Sequence, residues 1–542
     1  MTPPNNPMVG ATVGLVLAVA SGLLLALVYS FPSCYLVAWI ALVPLLGALE
    51  GRSLAGAYGL GLVTGLMALT GAAWWIMDFI VLLKGYGPLR TAVFSGLFWV
   101  YGAQMIGLLA LAIVFGRRHR ILPEIVLIPV LVTLFFGSFP MLFQSNLGET
   151  QSLFLTAIQG ADLTGAIGLD AVIGLVNLLV YRLLIRARPV RWQELTALCL
   201  VLIWFGYGGW QLSKWSGRVA AAVEDTSRHP VTRIGLVQPG ALPVLTPEPP
   251  KPGYSLSYPP AMAISEQLVD AGAEVVMWSE SRFVLYFENE HVQRAYQQQV
   301  RRMSVPLLFQ DMEYRNDAQG RMEFNTALML DHGGAVLGDY QKVKRVAFGE
   351  YIPLVENFPA LRRQVIRFFG GFTATVAQGP GPARFDVRGV GIIPLICYEA
   401  MFPEFVASAV SEVSAAPDQD ESPRILTVLS NNAWFGDSRQ PFQHFHSVIL
   451  RAVENRLPLV HVMNNGPSGV ITPDGRIHFQ SPLGGEKGYL AEVPHVAESQ
   501  TGRTLFGRYP GWFTGLMFAI LMVGITNRLV WLLLPVLRRR KA

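Results

Sequence analysis

Charge is scarce in this chain and cysteine scarcer. Only 15% of the 542 residues are Asp, Glu, Lys or Arg, against 52% hydrophobic, a balance too apolar for an ordinary soluble protein of this length. The shortage is uneven: charged residues are sparse before about residue 215 and frequent from about 216 to 508. That asymmetry predicts a membrane-embedded part and a water-exposed part. The three cysteines are Cys34, Cys199 and Cys397. The first two lie in apolar stretches that do not reach the third, which excludes a disulfide framework and leaves Cys397 needing a reason other than stapling. No internal repeat or low-complexity tract is present. His444 and His446 have no accompanying Cys, His or carboxylate cluster, so no metal is expected. The net charge of +5 does not form a nucleic-acid footprint, because its cations sit beside apolar segments.

Apolar runs are abundant. A helix needs about 20 mainly apolar residues to cross a bilayer, and the N-terminal part offers runs at about 8 to 30, 34 to 49, 54 to 80, 91 to 115, 122 to 138, 163 to 185 and 194 to 213. The second is short and the fifth carries Pro129, so each is open to a re-entrant or tilted reading. A further run spans about 510 to 536, interrupted by Asn527 and Arg528. Met1 to Pro7 lacks the basic flank of a cleaved signal peptide, so the first run is expected to stay. The cations Arg52, Arg117, Arg118, Arg120, Arg182, Arg186, Arg188 and Arg191, and the tail Arg538 to Lys541, all fall on one side if the N-terminus is cytoplasmic. Lys84 and Arg90 run mildly against this scheme. Residues 214 to 509 then lie outside, anchored at both ends.

The outside part opens with a Pro-rich entry (Pro239 to Pro252). Strand-like runs lie at Arg233–Gln238, before that entry, and at Glu274–Trp278, Pro306–Phe309, Ala327–Leu330, Val390–Cys397, Ile425–Ser430 and Pro458–Met463, with helical runs at Ala261–Ala271, His291–Met303 and Phe442–Asn455. Such alternation predicts an α/β sandwich with buried sheets. Ala416–Arg424, acidic and bounded by prolines, reads as a solvated loop.

Three segments carry ionisable groups in suggestive places. Val390–Glu399 runs an apolar strand directly into Cys397, presenting a thiol at a strand end, where a base or a positive neighbour would make it a nucleophile. Val275–Glu280 ends a strand on a carboxylate. Gly338–Pro353 is rich in cations, among them Lys342 and Lys344, and turns through Phe348-Gly-Glu350. Taken singly, each has a bland reading: a buried small residue for Cys397, a surface or helix-starting acid for Glu280, solvated charges for the lysines.

Together, in the order Glu, Lys, Cys, these segments resemble the carbon-nitrogen hydrolase (nitrilase) superfamily. With the flanking spans the whole chain is similar to its membrane branch, the apolipoprotein N-acyltransferases. Asn431-Asn-Ala-Trp-Phe-Gly-Asp-Ser438, Gln443-His444-Phe445, Arg451 to Arg456, Asn464-Asn-Gly466, Ala20 to Leu27 and Ala38 to Leu45 add to the match in order and spacing. The resemblance implies an α/β fold class: a multi-span α-helical membrane domain of about seven helices (1–215), a nitrilase-like αββα sandwich (216–508), and a C-terminal transmembrane helix with a basic tail (509–542). It further implies Glu280 as general base, Lys342 as the oxyanion-stabilising cation and Cys397 as nucleophile. Glu350, Tyr398 and Glu399 match further positions of the family, and Asn432 and Trp434 are expected to shape the wall beside Cys397. Lys342 is favoured over Lys344 because Tyr340-Gln-Lys342 precedes Glu350 by the family's eight residues.

The implied reaction takes an acyl chain from a phospholipid, through a thioester, to the amine of a diacylglyceryl-modified apolipoprotein, with no cofactor, at a bacterial inner membrane with a periplasmic catalytic domain and cytoplasmic termini. The pattern departs from the family at Ser279, Ser281 and Ala347, and in lacking a tryptophan between residues 242 and 258. A tethered amidohydrolase, a paralogue acylating another amine, and a transporter or scaffold with acids at Asp78 and Asp170 therefore remain open. The aromatic stretch Phe368, Phe369 and Phe372 around Gly370-Gly371 fits either a lid, a lipid-facing patch or internal packing.

Overall fold

The computed structural model describes residues 7–186, 189–225, 231–243, 248–281, 283–317, 320–355, 358–369, 376–414, 422–496 and 504–539. Gly370, Gly371 and Phe372, and most of the acidic loop 416–424, lie outside them. Two compact units emerge, one comprising 1–74, 92–212 and 509–542, the other 75–91 and 213–508.

Among the described residues six helices are long and apolar enough to cross a membrane: Gly10–Ser30, Leu54–Ala72, Pro88–His119, Ala166–Ile185, Trp192–Glu224 and Trp512–Leu532. Pro32–Ala48 and Glu124–Ser138, the latter enclosing Pro129, are shorter apolar helices. With apolar solvent on all sides, such helices are held by close approach and by buried polar contacts. A Cβ on Gly65 would sit 2.7 Å from the Ala103 backbone, so only glycine lets these two helices meet there. Asn177 donates to the Ala38 carbonyl (2.9 Å) and accepts from the Leu42 N–H (2.8 Å), stitching the short helix to Ala166–Val180. Asp170 is fully buried and accepts the Gly148 N–H.

The apolar run 54 to 80 is broken. Its helix ends at Ala72, and a second helix, Ile76–Lys84, belongs to the other unit, where it packs on the turn Ala433–Phe435. Phe79 stacks on Phe435 at 5.0 Å, Trp75 meets the same ring edge-on at 5.1 Å, and Trp75 Nε1 donates to Gln443 Oε1 at 2.9 Å. Asp78 rides on this helix.

Among the described residues the second unit contains twelve strands: β1 (Val231–Gln238), β2 (Val275–Trp278), β3 (Leu307–Asp317), β4 (Gly320–Leu330), β5 (Val336–Gln341), β6 (Phe385–Val387), β7 (Val390–Ile396), β8 (Arg424–Ser430), β9 (Leu459–Met463), β10 (Gly469–Ile471), β11 (Ile477–Gln480) and β12 (Lys487–Pro494). They form two six-stranded sheets, ordered β12-β1-β2-β3-β4-β5 and β11-β10-β9-β8-β7-β6. Alternation along the strands sorts side chains between two layers. Ile234, Leu236, Met277, Leu308 and Met329 pack between the sheets against Ile392, Ile396, Leu429 and Val462. Val237, Val276, Trp278 and Phe309 point the other way, under helices Pro260–Asp270 and Glu290–Met303, against Met262, Tyr296 and Val300. On the second sheet, helices Pro403–Ser414 and Gln440–Asn455 bury Val406, Val410, Phe445, Val448 and Ala452. The layers are thus αββα.

Candidate active site

β1, β2 and β3 run parallel, β5 shares their direction, and β7, β8 and β9 are parallel in the second sheet. Residues that directly follow β2, β5, β7 and β8 therefore emerge at carboxyl ends, where ligands of α/β sheets bind. Those residues include Glu280, Lys342, Cys397 and Asn431.

Lys342 is the centre of the cluster. It is 1% exposed, its Nζ lies 2.8 Å from Glu350 Oε1 and 3.9 Å from Glu280 Oε1. Burial works against the ammonium, but Glu350, Glu280 and Cys397 together outweigh it and hold the lysine pKa above its ordinary value. Glu280 Oε1 accepts from Asn325 Nδ2 at 2.9 Å, and its Oε2 accepts from the Asn431 backbone N–H at 3.0 Å. Glu350 Oε2 takes the Val346 N–H at 2.7 Å, which curls the Phe348-Gly-Glu turn back toward Lys342.

Cys397 begins the short turn Cys397–Met401 straight after β7, with φ at +53°. A non-glycine residue in that region costs of order 1–3 kcal/mol and persists only where its surroundings impose it. The imposing group is Glu399. Fully buried, it accepts from the Ile396 N–H (2.7 Å), the Tyr340 hydroxyl (2.8 Å), and the Val343 and Lys344 N–H groups (2.7 and 2.9 Å). One carboxylate thus ties the strand entering Cys397 to the segment leaving Lys342; burial raises its pKa, and the Ile396 and Lys344 amides pull it back down. For Cys397, burial and then the Glu280 carboxylate push the thiol pKa up, while Lys342 and the Asn431 N–H pull the other way. Cys397 is only partly buried, so the burial contribution is weaker than full enclosure would give. Its resting form is the neutral thiol, beside a carboxylate able to receive the proton and an ammonium able to face a developing oxyanion.

Tyr398 is nearly buried, its ring edge-on to Phe402 at 4.8 Å. Asn432 is fully buried and pairs with His444 Nδ1 at 3.1 Å and Met463 Sδ at 3.2 Å, so its side chain faces the core behind the site. Trp434, in the turn Ala433–Phe435, is half-buried. Among the described residues no group of three or more His, Cys, Asp or Glu side chains is arranged to hold a metal ion; burial lowers the pKa of His444 to about 4.

Sequence reading did not single out the β3–β4 hairpin, yet its polar residues brace the cluster. Gln310 Oε1 accepts the Ser281 N–H (2.7 Å), Asp311 accepts those of Val284 (3.2 Å) and Tyr286 (2.7 Å), and Asn325 reaches both Glu280 and Glu350. The available signal was the cluster of polar side chains Gln310, Asp311 and Glu313 directly after the apolar run Leu307–Phe309.

The family model of the apolipoprotein N-acyltransferase N-terminal domain matches residues 21–179, and that of the carbon-nitrogen hydrolases matches residues 257–500. The chain is also 29% identical over 523 residues to the apolipoprotein N-acyltransferase of Geobacter metallireducens, an alignment covering 92% of each chain. The chain is similar to the apolipoprotein N-acyltransferases along nearly its whole length. The chain is 26% identical to that enzyme of Brucella suis over 374 residues, 66% of this chain and 65% of that one. An amidase of the nitrilase superfamily from Nesterenkonia covers 51% of this chain and 96% of its own at 19% identity, with a TM-score of 0.34.

Within this family setting, the departures fall around the cluster. Ser279 is buried, Ser281 binds β3 through its backbone, and Ala347 bridges to Tyr351. Of the stretch 242–258, residues 244–247 lie outside the described residues; Ser255 and Tyr258 close a small turn beside it.

Proposed function

We propose that the chain N-acylates apolipoproteins by a thioester relay on Cys397. The observation that carries this reading is the gathering of Cys397, Lys342 and Glu280 at the carboxyl ends of strands, with Glu350 brought to Lys342 by the turn that follows, in a membrane protein similar to a family of acyltransferases. In the first step the Cys397 thiol attacks a phospholipid ester carbonyl, and Glu280 takes the thiol proton. Lys342 faces the oxyanion of the tetrahedral intermediate. Collapse expels the lysophospholipid alkoxide, which leaves with the proton from Glu280, and the acyl group stays on sulfur. In the second step the amine of a diacylglyceryl-cysteine N-terminus attacks the thioester, its proton passes to Glu280 and on to the departing thiolate, and an amide forms. Glu350 holds Lys342 in register, Glu399 fixes the turn that presents Cys397, and Asn432 and Trp434 belong to the segment flanking it, with Tyr398 beside the nucleophile. Membrane confinement brings two lipid-anchored substrates to one site at high effective concentration.

The clusters at Arg117 and Arg118 and at Arg182 and Arg186 support cytoplasmic termini and a periplasmic catalytic unit in a bacterial inner membrane. Incubation of the purified protein with phospholipid tests the reaction: intact-mass analysis is expected to reveal one acyl adduct, absent in Cys397→Ser, that disappears when a diacylglyceryl peptide is added and N-acylated peptide accumulates. Free fatty acid with no N-acylated peptide would instead identify a hydrolase, and an adduct retained in Cys397→Ser would remove the thioester from the scheme.

A further inference from the structure

The two carboxylates beside Lys342 pose a problem that the lysine does not solve alone. Glu280 and Glu350 approach one ammonium, at 3.9 and 2.8 Å, and two negative charges so close repel each other unless further donors hold them. Each takes one backbone N–H, Asn431 for Glu280 and Val346 for Glu350, and the donor they share is the side chain of Asn325, in the middle of β4. Its Nδ2 reaches Glu280 Oε1 at 2.9 Å and Glu350 Oε1 at 3.4 Å. The amide's orientation is fixed by chemistry, since turning it over would face its oxygen toward both carboxylates. Asn325 is 4% exposed, and its Oδ1 has no hydrogen-bond partner among the described residues. A buried acceptor without a partner is a cost that an apolar residue would avoid, so the residue is explained by its donors. The same residue also reaches Lys342 through the backbone: the Lys342 N–H donates to the Asn325 carbonyl at 2.9 Å. One residue thus touches all three charged members of the cluster.

We propose that Asn325 is a positioning residue of the reaction centre, whose amide clamps Glu280 and Glu350 together around Lys342 so that Glu280 is held in reach of the Cys397 thiol. The proposal rests on the roles given above to Glu280 and Cys397. Asn325 acts on these groups and touches no reacting atom. A threonine or serine there would supply at most one donor, and an aspartate would bring a third negative charge into the cluster.

The test uses the full-length protein in detergent, with two near-isosteric or smaller variants, Asn325→Asp and Asn325→Ala, and two readouts. The first is the rate of Cys397 alkylation by iodoacetamide against pH, followed by intact mass, which needs no lipid and so is informative even if the acyl-transfer reading fails. The second is kcat/KM for acyl transfer from phospholipid to a diacylglyceryl peptide. The expected result is a fall in kcat/KM of roughly 10- to 100-fold in Asn325→Ala, the scale of a lost hydrogen bond to a charged group, with the acid limb of both pH profiles moved to higher pH. In Asn325→Asp the limb moves further, and activity is lost more deeply at neutral pH. Variants that keep the wild-type acid limb in the alkylation profile overturn the proposal, as does a loss of activity in both variants that tracks thermal unfolding alone. If wild type transfers no acyl chain but the alkylation limb still shifts in the variants, the proposed reaction fails and the clamp stands.

Discussion

Replacing Glu350 with glutamine tests the electrostatic core of the site. The amide keeps the side chain's shape and can still accept the Val346 N–H, now made at 2.7 Å, so the main change is loss of one negative charge 2.8 Å from a lysine that is 1% exposed. At an effective dielectric of about 20, a unit pair at that distance is attracted by about 6 kcal/mol, and the Glu280 pair at 3.9 Å by about 4 kcal/mol. The retained pair must then meet the burial penalty of the ammonium alone. Breaking a buried pair costs about 3–5 kcal/mol; because Glu350 is 14% exposed, the low end of that range applies, about 3 kcal/mol. Lys342 is then drawn toward Glu280, and both the base and the oxyanion donor are compromised, so kcat/KM for acyl transfer is expected to fall by about 10²-fold, since 1.4 kcal/mol is tenfold. The pH dependence has a definite sign. In the wild type the lysine pKa is raised, so the stabilisation that its proton carries is complete below the ordinary lysine value of 10.5 and is lost only as pH rises through the higher folded value. In Glu350→Gln the basic limb of kcat/KM is expected to move down by about two units, the equivalent of about 3 kcal/mol. A variant within threefold of wild type, with its basic limb in place, would refute the account of Lys342 as an ammonium held by its two carboxylates.

Two other substitutions probe the frame around the site. Glu399→Gln removes a charge that four donors share and turns an amide NH₂ toward at least one of them; a destabilisation of about 3 kcal/mol is expected, measured by chemical denaturation of the second unit's signal in detergent, together with near-complete loss of activity, and wild-type behaviour in both would dismiss Glu399 as the tie that imposes the Cys397 turn. Asp311 has its pKa raised to about 7 by burial, partly countered by backbone N–H groups, so between its ordinary 3.8 and that value the folded state holds a proton the unfolded state has released; stability therefore falls as pH rises through this window, by up to about 1.4 kcal/mol per pH unit, and Asp311→Asn should flatten that slope, whereas an unchanged slope would assign it to other groups.

What was legible in the sequence follows from how each strand is buried. β2, β7, β8 and β9 are covered on both faces, so they read as continuous apolar runs, and Val275–Trp278 and Val390–Ile396 are visible without any structure. The hairpin β3–β4 is not, beyond the four apolar residues at each base. Just beyond those bases it carries Gln310, Asp311, Glu313, Asn325 and Thr326, all nearly or fully buried, and burial of polar side chains in a network of mutual hydrogen bonds leaves no hydrophobic periodicity to read. β5, with Val336 and Leu337 exposed at the sheet edge, is hidden for the opposite reason. The apolar run 54 to 80 misleads because periodicity and composition report only that a segment avoids water. Leu54–Ala72 satisfies that demand in a span-length helix, while Trp75 and Phe79 satisfy it against Phe435 and Gln443, and only the polar interruptions Asp78 and Lys84 hint at the difference. The charged members of the site stand apart again. Glu280 and Cys397 are marked in the sequence by the apolar strands they end, but nothing local shows that Glu350 comes to 2.8 Å from Lys342; a charge's role depends on which partner the fold supplies, and strand order, absent from the sequence's local pattern, decides that partner.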